Sequence, residues 1–167
     1  MISKKNLPCL LFIVCSFFSA CGIYSFTGVN SGVKTASVQL INNQAAIVNP
    51  SLSGVLTEKL KNKIITNSPV TVVEQNGEIE FSGTITSYQT NPVAASANET
   101  AALNRLNIII SIQCINKEDE KQSWVQSFSR YTDFNSSQDL SSVESQLVEE
   151  ITDQLVDDIF NKALVNW

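Results

Sequence analysis

The 167-residue chain contains no histidine. That absence excludes a Ser-His-Asp or Cys-His catalytic set, a histidine-ligated metal and imidazole acid–base chemistry. Basic residues are also scarce. Eleven Lys and Arg against sixteen Asp and Glu leave a net charge of −5, and so acidic a chain is a poor partner for nucleic acid. Six glycines form no phosphate-cradling pattern. The adjacent carboxylates Glu149-Glu150 and Asp157-Asp158 sit in a helical pattern where neighbours point in different directions, so neither pair makes a catalytic dyad, and both are expected on solvated helix surface. These absences argue against an enzyme and call for no cofactor and no metal. What is present is apolar: 43% of residues are hydrophobic and 16% charged. A disordered chain is far more polar than this, and the length suffices for one domain with its own core.

The N-terminus carries a targeting pattern. Lys4 and Lys5 precede the apolar run Leu10 to Phe18, and Phe18-Ser19-Ala20-Cys21 follows. The run is too short for a permanent membrane span and reads as a signal peptide over residues 1–20. Small residues directly before a cysteine are what a lipoprotein signal peptidase accepts. Cys21 is therefore expected to become the first mature residue, with a diacylglyceryl thioether and an acylated amine. Such an anchor holds firmly, since each buried methylene contributes roughly 0.8 kcal/mol. Cleavage removes Lys4, Lys5, Cys9 and Cys15, which makes the chain more acidic and leaves Cys114 as its one free thiol. No intramolecular disulfide is then possible. Cys114 falls on the apolar side of a strand pattern and is expected to be a small buried hydrophobe.

Residues 21–33 hold glycines and small polar residues and read as a lipidated tether; the folded domain is expected over 34–167. From Lys34 to Asn42 apolar Ala36, Val38 and Leu40 alternate with Ser37 and Gln39, a half-buried strand. Asn49-Pro50 supplies a helix start, and Leu52, Val55, Leu56, Leu60 and Ile64 keep helical spacing to about Thr66. Asn67, Ser68 and Pro69 end it. A short strand from Val70 to Val73, a turn at Gln75-Asn76-Gly77 and a strand from Glu78 to Gln89 follow. Asn91 to Ala102 reads as a long loop. The next strand, Leu103 to Ile115, puts Leu106, Ile108, Ile110, Ile112 and Cys114 on one face. A charged turn at Lys117–Lys121 leads to a strand from Ser123 to Phe134. A long amphipathic helix then runs from about Asp139 to Trp167, with Ser141 and Glu144 spaced as a capping box. One-sided strands and two helices with apolar stripes assemble most economically as an α+β two-layer sandwich of about four main strands, both helices on one face.

The other sheet face would then show Glu80, Ser82, Thr84, Thr86, Asn107, Ser111, Gln113, Ser37 and Gln39. Rich in hydroxyls and amides and poor in charge, it suits either plain solvent or a wet, hydrogen-bonded protein interface.

Several stretches, taken together and in order, resemble the LptE lipoproteins of Bacteroidota. They are Cys21-Gly22-Ile23-Tyr24-Ser25-Phe26-Thr27-Gly28, Asn49-Pro50-Ser51-Leu52-Ser53, Ala102-Leu103-Asn104-Arg105-Leu106, Phe128-Ser129-Arg130-Tyr131, and Asp158-Ile159-Phe160-Asn161-Lys162-Ala163 through Asn166-Trp167. The resemblance implies two helices against a mostly antiparallel sheet. It also implies an outer-membrane lipoprotein that plugs the lumen of the LptD β-barrel, assists its assembly and supports lipopolysaccharide transport. Gly22 after the acylated cysteine, with no acidic cluster behind it, fits retention on the periplasmic side. The alternative is a lipid-binding carrier or transport accessory, which would need an apolar pocket between helices and sheet. Two arginines lie inside the resembling strand motifs. Arg105 alternates onto the polar face, whereas Arg130 shares a face with Trp124 and Phe128. Each is either a structural arginine satisfied by a carboxylate or carbonyl, or a contact to the barrel wall or a lipopolysaccharide phosphate.

Overall fold

A computed structural model describes residues 32–93 and 102–165. The expected signal peptide, Cys21 and the tether as far as residue 31 lie outside the described residues, as do most of the expected loop, 94–101, and the last two residues of the expected final helix, 166–167. In chain order the elements are β1 (Thr35–Val38), β2 (Asn42–Asn43), α1 (Leu52–Asn67), β3 (Thr71–Val73), β4 (Ile79–Val93), β5 (Leu103–Asn116), β6 (Trp124–Asn135) and α2 (Leu140–Phe160). A wider-pitched turn over Asn161–Val165 continues α2.

The two-layer α+β arrangement stands, but the sheet is mixed and six-stranded, not mostly antiparallel with about four strands. Its order is β3-β1-β4-β5-β6, with β2 also on β4. The long strands β4, β5 and β6 are antiparallel neighbours. β1 pairs in parallel with β3 and β4, and β2 in parallel with β4. The physical reason is the connection: α1 lies between β1 and β3, and a helical crossover returns the chain in the same direction, as a hairpin cannot.

The first strand is shorter than alternation suggested. After Val38 the ladder breaks, Leu40 turns out to solvent at 59% exposure, and Ile41 is the buried residue. The Ile41 amide donates to Thr57 Oγ1 at 3.1 Å, which draws the chain under α1 before β2 rejoins the edge of β4. β4 in turn extends beyond the expected strand: Asn91, Pro92 and Val93 pair with Arg105, Asn104 and Leu103, so the start of the expected loop is sheet. A register shift between Ile85 and Ser87 moves the buried face from odd to even residues, and Tyr88 becomes the next core side chain.

α1 begins where Asn49 Oδ1 accepts the Ser51 amide at 3.0 Å, and it stops where the Ser68 amide and hydroxyl both bond the Ile64 carbonyl. The capping box expected for α2 is not formed. Glu144 turns inward instead, and Asp139 supplies the first helical carbonyl. Leu52, Leu56, Leu60 and Ile64 from α1 meet Leu147, Ile151, Leu155 and Ile159 from α2 over Ile79, Phe81, Ile85 and the even face of β5 in a single core. Val33 joins it. Gly83 leaves room for its neighbour on β5, because a Cβ there would stand 2.5 Å from Ile112 Cδ1 and 2.8 Å from the Ser111 carbonyl oxygen. Cys114 is fully buried, and burial pushes its thiol up to about 12.

Ion pairs clasp the helices together. Lys59 reaches Glu149 at 2.8 Å and Asp153 at 2.6 Å, and Lys63 reaches Asp157 at 2.6 Å. Glu149 and Asp157 are thus mostly solvated yet paired, while Asp158 points away toward β6, as adjacent helix positions must.

Candidate functional site

The sheet face away from the helices is open, and cross-strand register arranges its side chains in rows. Ser82, Gln113 and Val125 form one row, Thr84, Ser111 and Ser127 the next, then Ser87, Ile109 and Ser129, then Gln89, Asn107 and Tyr131, and finally Asn91, Arg105 and Asp133. Small hydroxyls and amides dominate, as the sequence pattern indicated. Ser129 Oγ donates to Asn107 Oδ1 at 3.0 Å, and Thr86 Oγ1 donates to the Ile109 carbonyl at 3.1 Å. A shallow groove of about 290 Å³ is lined by Asn42, Ser82, Gly83, Thr84, Ser111, Gln113 and Val125.

Two details differ from the sequence reading. Ser37, expected on this face, is buried: the turn through Asn76, with its left-handed φ of 58°, lays Gly77 against it, and the Gly77 amide bonds Ser37 Oγ. Only glycine fits there, since a Cβ would come within 2.5 Å of the Ser37 nitrogen. The face is also less polar than alternation implied, because Val125 (68% exposed) and Tyr131 (51%) project from it. Aromatic and apolar side chains on a hydrogen-bonding field are the composition of a protein interface more than of a solvated sheet.

Both arginines have intramolecular carboxylates. Arg105 binds Asp133 in a fork, Nε to Oδ1 at 2.7 Å and NH2 to Oδ2 at 2.8 Å, and its guanidinium lies 3.7 Å over the Tyr131 ring. Hydrogen bonding from Arg105 holds the Asp133 carboxyl below the usual carboxylate range. Arg130 forks onto Asp158 of α2 with both contacts at 2.6 Å. The structure does not bring the two together: Arg105 belongs to the open face and Arg130 to the helix side of the edge strand.

Between the layers the space is filled by side chains of zero or near-zero exposure. The larger grooves among the described residues lie on the surface, such as that of about 480 Å³ between the helices, lined by Lys59, Asn62, Lys63, Thr66, Asn67, Asp153, Val156 and Asp157. Among the described residues no three cysteine or carboxylate side chains converge to hold a metal, and no helix is long and apolar enough to cross a membrane.

A family model described as LptE, lipopolysaccharide-assembly, matches residues 33–163. The chain belongs to the LptE family. Membership assigns it to lipopolysaccharide assembly, among membrane-associated lipoproteins that act as transport accessories and not as enzymes. Among curated proteins none matches the chain. Solved structures share its fold. The minor lipoprotein of Acinetobacter baumannii is similar at 15% identity and a TM-score of 0.52, over 78% of this chain and 92% of that one. Protein XCC0632 of Xanthomonas campestris is similar at 10% identity and a TM-score of 0.56, over 80% and 84%.

One surface of this LptE-family chain escaped the sequence reading. Leu40, Ile47 and Val48 are exposed large aliphatics in the loops around β2, and no charged residue occurs from Thr35 to Thr57. The missing charge was the available signal.

Proposed function

We propose that the protein is a lipoprotein anchored through Cys21 to the periplasmic leaflet of the outer membrane, that it seats inside the lumen of an LptD-type β-barrel, and that it assists the barrel's assembly and so lipopolysaccharide transport. Membership of the LptE family over residues 33–163 carries this reading. Two physical features support a plug in preference to a lipid carrier. Among the described residues the space between sheet and helices is occupied by core side chains of little or no exposure, the packing of a plug more than of a lipid pocket. The open sheet face, with its hydroxyl and amide rows broken by Val125 and Tyr131, suits a wet, shape-matched contact with a polar barrel lining. Arg105 and Arg130 are proposed as contact residues for the barrel wall or a lipopolysaccharide phosphate, each already oriented by its carboxylate.

Depletion of the protein tests the proposal. The folded fraction of the LptD-type barrel, read as heat-modifiable gel mobility, is expected to fall together with surface lipopolysaccharide. A barrel that stays fully folded while lipopolysaccharide export fails would favour the carrier reading instead.

A further inference from the structure

β6 closes one side of the sheet, and among the described residues no strand pairs with its outer edge. Its twelve residues pair with β5 without a break in register from Leu103 opposite Asn135 to Cys114 opposite Trp124. An antiparallel strand turns the N–H and C=O of alternate residues away from its neighbour, so about six residues of β6 offer both groups outward. No hydrogen bond among the described residues runs to that outer backbone between Trp124 and Phe134. The other end of the sheet is handled differently, since β3 is only three residues long.

Folded proteins blunt long edges with lysine, proline, a bulge or a covering segment. β6 contains no lysine, no proline and no bulge. Its two charged side chains are both drawn inward, Asp133 to Arg105 on β5 and Arg130 to Asp158 on α2. Trp124–Ser129 is therefore an uncharged edge. Beside it a groove of about 410 Å³ runs between Gln126, Ser127 and Ser129 of the strand and Asp158, Asn161 and Lys162 at the end of α2. Asp158 is committed to Arg130, whereas Lys162 makes no ion pair among the described residues, which leaves the groove net positive.

We infer that the outer edge of β6 over Trp124–Ser129 accepts an added β-strand from the barrel partner, an extended segment whose one charged side chain is an acid that meets Lys162. The unused backbone groups select a strand over a helix or a lipid, and Lys162, beside the paired Arg130 and Asp158, selects the acid. The inference rests on the plug reading and deepens it.

The test compares the free lipoprotein with its purified complex with the LptD-type barrel by amide hydrogen exchange. Exchange over Trp124–Ser129 is expected to slow on the order of tenfold or more in the complex, the effect of new main-chain hydrogen bonds. A photoreactive side chain at Ser127 should cross-link to one continuous barrel segment. Lys162→Glu should weaken the complex while leaving the melting curve of the free protein unchanged. A complex in which these amides exchange as fast as in the free protein overturns the inference and leaves the plug reading standing. Cross-links joining two copies of this chain overturn it as well, since the edge then serves a homodimer. If the lipidated protein forms no complex with the barrel, the plug reading fails and the inference with it.

Discussion

The Tyr88 hydroxyl donates to Oε1 of Glu144, and the same oxygen accepts Asn49 Nδ2 at 2.9 Å. One carboxylate thus joins the middle of β4, the N-terminal part of α2 and the entrance to α1. Burial, reinforced by Glu144, pushes Tyr88 ionisation well above the usual phenol range, so the hydroxyl remains a donor at any physiological pH. Tyr88→Phe keeps the ring and removes the donor. It is expected to lower stability by about 1–3 kcal/mol in urea or thermal unfolding. An unchanged midpoint would mean that the bond contributes nothing in solution.

Leu155 lies at zero exposure in the centre of the α2 stripe. Leu155→Ala is expected to cost about 2–5 kcal/mol, from lost transfer energy and the cavity left behind. A wild-type melting temperature would mean that α2 packs elsewhere.

The opposite sign is expected at Thr132. Its Oγ1 is buried on the helix side of β6 and has no hydrogen-bond partner among the described residues. Thr132→Val preserves the β-branched shape and removes the stranded hydroxyl, so stability should rise by about 1 kcal/mol. A destabilised variant would show that the hydroxyl is satisfied by water.

The even face of β5 and the stripes of both helices were legible because period-2 and period-3.6 patterns ran through them: Leu106 to Cys114 on β5, Leu52, Leu56, Leu60 and Ile64 on α1, and Leu147, Ile151, Leu155 and Ile159 on α2 are buried as the spacing required, while Val55 at the margin of its stripe is only half-buried. The pattern failed where long-range contacts overrode local alternation. Thr57, far along the chain, captures the Ile41 amide and ends β1 early. The irregularity after Ile85 swaps the faces of β4 and brings in Tyr88. The parallel pairing of β1 depends on where α1 delivers β3, which no local pattern records. The partners of Arg105 and Arg130 were equally hidden, since each carboxylate stands on another element, 28 residues away. Glu144 was read as a cap because its spacing from Ser141 fits one, but a buried hydroxyl and an amide compete for it more strongly.

The Arg105–Asp133 fork has a defined pH dependence. Hydrogen bonding from Arg105 lowers the folded-state pKa of Asp133 below its ordinary 3.8. The pair therefore stabilises fully above that value and loses its contribution as pH falls through the lower folded pKa. The stability gap between wild type and Asp133→Asn should be constant near neutrality and shrink below pH 3.8. Arg105→Lys, which keeps charge but loses the fork, should raise the Asp133 pKa in an NMR titration. An unmoved titration would show that the fork does not persist in solution.

Affinity purification of the lipidated protein from detergent-solubilised outer membrane, beside a Cys21→Ser control, tests the central claim most directly. The account predicts that the wild type is acylated at Cys21 and elutes in a fixed ratio with an LptD-type barrel. The control should remain an unlipidated precursor and bring down little barrel. Wild-type protein that elutes without any barrel, or that carries a free Cys21 thiol, would contradict it.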